Sequence, residues 1–111
     1  MPKMSRTKGK TYERSVEVWL EEAGMQTDRT MVGAAVEDIC LHRERISIEC
    51  KNQKAMTLAA WLDQAVEQAE TRPADWTPVV VHKRKGCTDV GEHYATLRLS
   101  DLVALIKRLE A

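Results

Sequence analysis

The chain has 111 residues, 43% of them hydrophobic, and its 17 Lys and Arg are balanced by 17 Asp and Glu. That length suits one domain spanning 1–111 with a modest core, and a net charge of zero excludes a global field that would draw the whole molecule to nucleic acid. The longest apolar runs, such as Leu58–Leu62, are five residues, far short of the roughly 20 that a membrane helix needs, so no membrane partner is expected.

In chain order, residues 1–10 are rich in Lys, Ser and Thr and are expected to form a mobile basic arm. From about Thr11 the apolar residues Tyr12, Val16, Trp19, Leu20 and Ala23 recur at helical spacing, and Gly24 is the expected C-terminal cap. The stretch "MQTDRTMVGAA" is part strand, with a bend at Gly33. Two strands follow near Val36–Leu41 and Ile46–Lys51. A second helix is predicted over Thr57–Arg72, with Leu58, Leu62, Ala65, Val66 and Ala69 inward, and Pro73 ends it. "PVVVHK" reads as a buried strand, "KGCTDVGEH" as a loop and Tyr94–Leu99 as another strand. Ser100 then caps a last helix with Leu102, Leu105, Ile106 and Leu109 inward. This order predicts an α/β domain with a mixed sheet flanked by helices.

With three Trp, two Tyr and no Phe, aliphatic side chains must fill most of the core. Cys40, Cys50 and Cys87 are odd in number and lack CxxC spacing, which argues against a disulfide framework or zinc site and for a reducing compartment. The charged N-terminus has no signal-peptide apolar stretch, so a cytoplasmic location is expected. Charge is segregated. Lys3, Arg6, Lys8, Lys10 and Arg14 make one end basic, as do Lys83, Arg84 and Lys85 later, whereas Asp63, Glu67, Glu70 and Asp75 are acidic.

The hairpin "EDICLHRERISIECK" (37–51) carries the chemistry. With His42-Arg43-Glu44-Arg45 as the turn, Leu41 pairs with Ile46, and counting outward sets Asp38 opposite Glu49. Facing residues have Cβ atoms roughly 4.5–5.5 Å apart, and like charges there are destabilising. Lys51 projects from the same face as Glu49. A hard divalent cation that takes oxygen ligands resolves the conflict, and such an ion can polarise a phosphoryl oxygen. An adjacent ammonium stabilises charge developing on phosphate. Asp38, Glu49 and Lys51 together therefore suit metal-dependent phosphodiester hydrolysis. The competing reading of alternating Lys and Glu is the solvated face of a half-buried sheet.

"KGKTYERSVEVWLEEAG", followed by "EDIC" and "IECKNQK", resembles the PD-(D/E)XK nuclease superfamily, in particular archaeal-type Holliday-junction resolvases and small phage endonucleases. The resemblance covers about two-thirds of the chain. It implies a restriction-endonuclease-like α-β-β-β-α-β core and a Mg²⁺- or Mn²⁺-dependent DNA endonuclease acting on branched DNA as a homodimer. By position, Glu13 becomes the helix-borne acid, Asp38 and Glu49 the metal carboxylates and Lys51 the lysine, with the Cys50 backbone carbonyl as a further ligand. Gln64 matches a glutamine that several members place beside the metal; Gln68 shares its helix face. Lys8, Lys10, Arg14, Lys83, Arg84 and Lys85 are the expected DNA contacts. Glu37 stands where the family often has Pro or Gly, and "DRTMVGAA" carries no clear copy of its serine-containing loop. Two alternatives stay open: the same fold acting on flap, nicked or single-stranded DNA, and a DNA-binding protein without catalysis.

Overall fold

The structure is a computed structural model. It describes the backbone of residues 2–32, 35–73 and 75–110, and the side chains of residues 11–29, 39–73 and 75–110. Helix α1 (Pro2–Glu22) leads into strands β1 (Asp28–Val32), β2 (Ala35–Leu41) and β3 (Ile46–Lys51). Helix α2 (Leu58–Glu70) then precedes β4 (Thr77–His82), a short 3₁₀ turn (Val90–Glu92), β5 (Tyr94–Thr96) and α3 (Leu99–Glu110). The five strands form one sheet in sequence order. Only β3 and β4 are parallel; the other neighbouring pairs are antiparallel. A parallel pair needs a long crossover, and α2 supplies it.

Helix α1 starts at Pro2 rather than near Thr11, so it takes in the segment expected as an arm. Proline suits a first helical position because its missing N–H would have no intrahelical partner there. The Lys and Arg that follow are good helix formers, and Gly9 costs only about 1 kcal/mol relative to Ala. The far end stops as expected. Gly24 has φ +95°, its N–H donates to the Glu21 carbonyl, and Met25 N–H donates to the Leu20 carbonyl, both at 3.0 Å. This paired closure is a Schellman motif, and Leu20 and Met25 both pack on the core beneath it.

The hairpin register is the one counted from the sequence: Leu41 faces Ile46, Cys40 faces Ser47 and Ile39 faces Ile48. Arg45 takes the left-handed conformation that closes the turn (φ 60°), and its carbonyl accepts from Thr77 N–H at 2.8 Å, starting the ladder to β4. Gly33 and Ala34, where a bend was expected, lie outside the described residues.

Strand alternation divides the core between two layers. On one face Tyr12 and Val16 of α1 bury Ile39, Leu41, Ile48 and Val79, with Ile46, Cys50 and Val81 around them. On the other, Trp61 and Ala65 of α2 cover Val80. Residues β3 turns away from α1, namely Ser47, Glu49 and Lys51, therefore share the α2 face with Val80 and His82.

Two expectations near the C-terminus are corrected. Strand β5 ends at Thr96, not Leu99, and α3 begins at Leu99, one residue before the expected cap. More consequentially, the apolar stripe of α3 is not inward. Leu102 and Ile106 are 41% and 45% exposed and Leu109 86%; only Leu105 is partly covered. The helix meets the sheet along β4 and is tied there by Arg108, which donates to the Asp75 carbonyl at 3.1 Å and Thr77 Oγ1 at 3.4 Å. Periodicity marks a face that needs cover without saying what covers it.

Candidate functional site

Strand β3 presents Glu49 and Lys51 two residues apart on one face. Lys51 Nζ lies 3.5 Å from Glu49 Oε1, and the two side chains are only 13% and 17% exposed. A pair so withdrawn from solvent is less screened than a surface ion pair. The β2–β3 ladder sets Ile39 against Ile48, so one step along it stand Asp38 and Glu49. The side chain of Asp38 lies outside the described residues. Its strand and position are those the sequence predicts.

Glu13 is carried by α1, in the layer over the opposite face, and its Oε2 accepts from Arg29 Nη1 of β1 at 3.0 Å. Arg29 Nε also lies 3.3 Å from Glu17 Oε2, and Glu17 Oε1 accepts from Arg14 Nη1 at 2.7 Å. The result is an alternating chain, Glu13–Arg29–Glu17–Arg14, in which each carboxylate already faces a guanidinium. Glu17, 8% exposed, was not singled out from sequence; its signal is an acid wedged between the inward positions Val16 and Leu20. Arg14, expected at DNA, is part of this chain. Lys8 and Lys10 stand on the first half of α1, and their side chains lie outside the described residues.

Gln64 is exposed on α2, while Gln68, one turn on, is partly buried. Trp61 is 4% exposed and donates from Nε1 to Gln53 Oε1 at 3.3 Å. It serves as core and as wall, because Lys51, Trp61 and His82 line a common cavity with Lys83, Arg84, Lys85 and Tyr94. The cavity opens where β3 and β4 end side by side: Lys51 is the register partner of His82, and Lys83 N–H donates to the Lys51 carbonyl at 3.0 Å. The three late cations thus stand beside Lys51, a neighbourhood that needs the parallel pairing and could not be counted from sequence.

His82, in the sequence only part of the strand "PVVVHK", is central to this cavity. It is 4% exposed, with its ring 5.6 Å from that of Trp61 and 5.4 Å from that of Tyr94. Burial lowers its pKa below the ordinary histidine value. On the α1 side, Tyr12 donates its hydroxyl to His93 Nδ1 at 2.9 Å, leaving His93 Nε2 to donate to the Cys87 carbonyl at 2.8 Å. Burial, and secondarily electrostatic interaction with Cys50, raise the Tyr12 phenol well above its usual range.

The donors nominated for a divalent ion, the Asp38 and Glu49 carboxylates and the Cys50 carbonyl, are all hard oxygens, which fits Mg²⁺ or Mn²⁺ and not a softer metal. Among the described residues, which exclude the Asp38 carboxylate, no group of three or more His, Cys, Asp or Glu converges on a metal-sized point. No helix among them is long and apolar enough to cross a membrane. No family model matches the chain, and neither the curated proteins nor the solved structures contain a match to it.

Proposed function

We propose that this chain is a Mg²⁺- or Mn²⁺-dependent DNA endonuclease of the PD-(D/E)XK type, with a restriction-endonuclease-like core, acting on branched DNA such as four-way junctions. The observation that carries the reading is the hairpin. Glu49 and Lys51 share one face at 3.5 Å, in a register that sets Asp38 one step beyond the Ile39–Ile48 pair. Asp38, Glu49 and the Cys50 carbonyl would hold the ion, which when bound polarises a phosphoryl oxygen and acidifies water. Lys51, held by Glu49 in a sheltered position, orients the attacking water and offsets charge that builds on the phosphate oxygens. Glu13, the helix-borne acid of the resemblance, stands on Arg29 at 3.0 Å in the layer over the opposite face, and this scheme gives it no step at the Asp38–Glu49–Lys51 face. Gln64 would contact the site from α2.

Lys8, Lys10, Arg14, Lys83, Arg84 and Lys85 supply backbone-phosphate contacts, which position DNA without reading its sequence. Junction resolution takes two cuts, and a homodimer follows from that reading. The exposed stripe of Leu102, Val103 and Ile106 on α3 supports a second copy as its cover, since contiguous apolar patches on monomers are usually small. Under this reading Ile106→Glu converts the dimer to a monomer in sedimentation equilibrium with the fold retained. None of the three cysteines is joined in a disulfide, which suits a cytoplasmic setting.

The deciding experiment is a panel of labelled four-way junctions, flaps, nicked duplexes, single strands and linear duplexes, with and without Mn²⁺. The junction claim predicts paired cuts near the branch and slow cutting of linear duplex. Equal cutting of plain duplex removes the junction claim. No cutting of any substrate at any metal concentration removes the enzyme and leaves a DNA-binding protein.

A further inference from the structure

We infer that the cavity at the ends of β3 and β4 is a pocket for one unpaired deoxynucleotide, its phosphate held by Lys51, Lys83, Arg84 and Lys85 and its base stacked on Tyr94. The inference rests on the nuclease reading for the identity of the strand, and names what part of that strand the site takes. Size is the first argument. The cavity measures ≈ 320 Å³, at the lower end of ordinary ligand pockets (roughly 300–1,000 Å³), so it admits a single nucleotide and not a duplex.

Charge is the second argument. Lys83, Arg84 and Lys85 are exposed and form no ion pair among the described residues. They do not continue the strand. Cys87 N–H donates back to the Arg84 carbonyl at 3.2 Å, and Gly86 takes φ +76°, so the chain curls and leaves the three cations around the cavity mouth instead of spread along an edge. Crevices at the C-terminal ends of parallel strands are the usual ligand positions in α/β sheets, and β3 and β4 are this sheet's parallel pair.

His82 supplies an independent observation. It lines the same cavity, is 4% exposed, and uses Nε2 on Thr96 Oγ1 at 2.8 Å, while its Nδ1 has no hydrogen-bond partner. A buried ring nitrogen without a partner is costly, and a ligand that matches it recovers that cost. With the Thr96 hydroxyl donating to Nε2, the neutral ring carries its proton on Nδ1, a donor left unmatched in the wall of the cavity. Beside it Tyr94, 46% exposed, offers an aromatic face, and stacking on aromatic rings is how unpaired bases are commonly held.

The test is binding by the full chain in EDTA, so that cleavage plays no part, using fluorescently labelled dT8 and a short hairpin duplex. Wild-type protein should prefer dT8. Tyr94→Ala should weaken dT8 about tenfold and leave the duplex unchanged, whereas Tyr94→Phe should bind as wild type. The double variant Arg84→Ala/Lys85→Ala should lower the salt slope for dT8 by roughly 1.4, and Arg43→Ala, an exposed turn cation away from the cavity, should leave it unchanged. On dT8 addition, the His82 ring resonances should shift. Absence of dT8 binding by wild type, or dT8 binding by Tyr94→Ala at wild-type strength, overturns the pocket. Equal weakening of dT8 and duplex by Tyr94→Ala also overturns it, because that is a structural effect. A protein that binds dT8 through Tyr94 but cuts nothing with Mn²⁺ keeps the pocket and loses the nuclease; the reverse result does the opposite.

Discussion

The two faces of the sheet differ in what they bury, one an apolar cluster and the other the polar groups to which the proposed function assigns the chemistry. Over the α1 face, Tyr12, Val16, Ile39, Leu41, Ile48 and Val79 form a continuous buried cluster, closed by the cap at Gly24. Over the α2 face the buried apolar cluster is smaller, Trp61, Ala65 and Val80, and beside it come Ser47, Glu49, Lys51 and His82, polar groups that a core alone would not choose. The same strands serve both: Ile48 and Cys50 look one way, Glu49 and Lys51 the other. A strand's period of two lets one hexapeptide anchor the fold and carry a site without conflict between them.

The sharpest test of this division substitutes neighbours on β3. Lys51→Ala should lower Mn²⁺-supported cleavage about 10³-fold, the upper end of what loss of one charge-stabilising donor costs, while the thermal melt stays close to wild type. Asp38→Asn should behave alike. Ile48→Ala, three residues from Lys51, should do the reverse. Losing a side chain 4% exposed in the main cluster should cost about 2–5 kcal/mol of stability, read from denaturant unfolding, with the folded fraction keeping its activity per molecule. If Ile48→Ala abolishes cleavage while the protein is fully folded, or Lys51→Ala unfolds it, the division fails.

How far this division was legible follows from the range of the contacts involved. The hairpin could be counted because its turn is four residues and its partners are adjacent in sequence; Leu41 against Ile46 and the shared face of Glu49 and Lys51 follow from local parity alone. The helix cap at Gly24 and the stop before Pro73 are likewise local. What failed or was missed is long-range. Leu102 and Ile106 looked inward because periodicity reports amphipathicity and not which neighbour is present. Glu17 has only its place between the inward positions Val16 and Leu20 as a local sign, and the guanidinium that meets it comes from Arg29, across on β1. His82 is visible in the sequence only as part of the strand "PVVVHK", because nothing local reveals that it stands beside Lys51 on a parallel neighbour.

Metal binding sharpens the comparison from the α2 side. Folded protein that takes an ion at Asp38 and Glu49 gains stability by mass action, about 2.7 kcal/mol when the free ion is a hundred times its Kd. Mg²⁺ or Mn²⁺ should therefore raise the Tm of wild type, Glu49→Gln should abolish the rise, and Ile48→Ala should melt lower yet keep it. A rise that survives Glu49→Gln puts the ion elsewhere.

The smallest effect concerns protons at His82. Burial holds its pKa in the folded chain below the ordinary value, near 6.5, so between those two values the unfolded chain binds the proton and the folded chain does not. Stability then rises with pH wherever the unfolded state holds more protons. The contribution of neutral His82 is complete above about pH 6.5 and is lost as pH falls through that point toward the lowered folded value. Tyr94 and Trp61 flank the ring, and Lys51 is the register partner of His82 on β3. His82→Gln should therefore flatten the acid side of the stability–pH curve without moving its plateau by as much as Ile48→Ala does. On the α1 face, His93→Gln should leave the slope assigned to His82 in place. If instead His93→Gln flattens the curve and His82→Gln does not, the acid sensitivity belongs to the α1 layer, and the α2 face is less specialised than its polar residues imply.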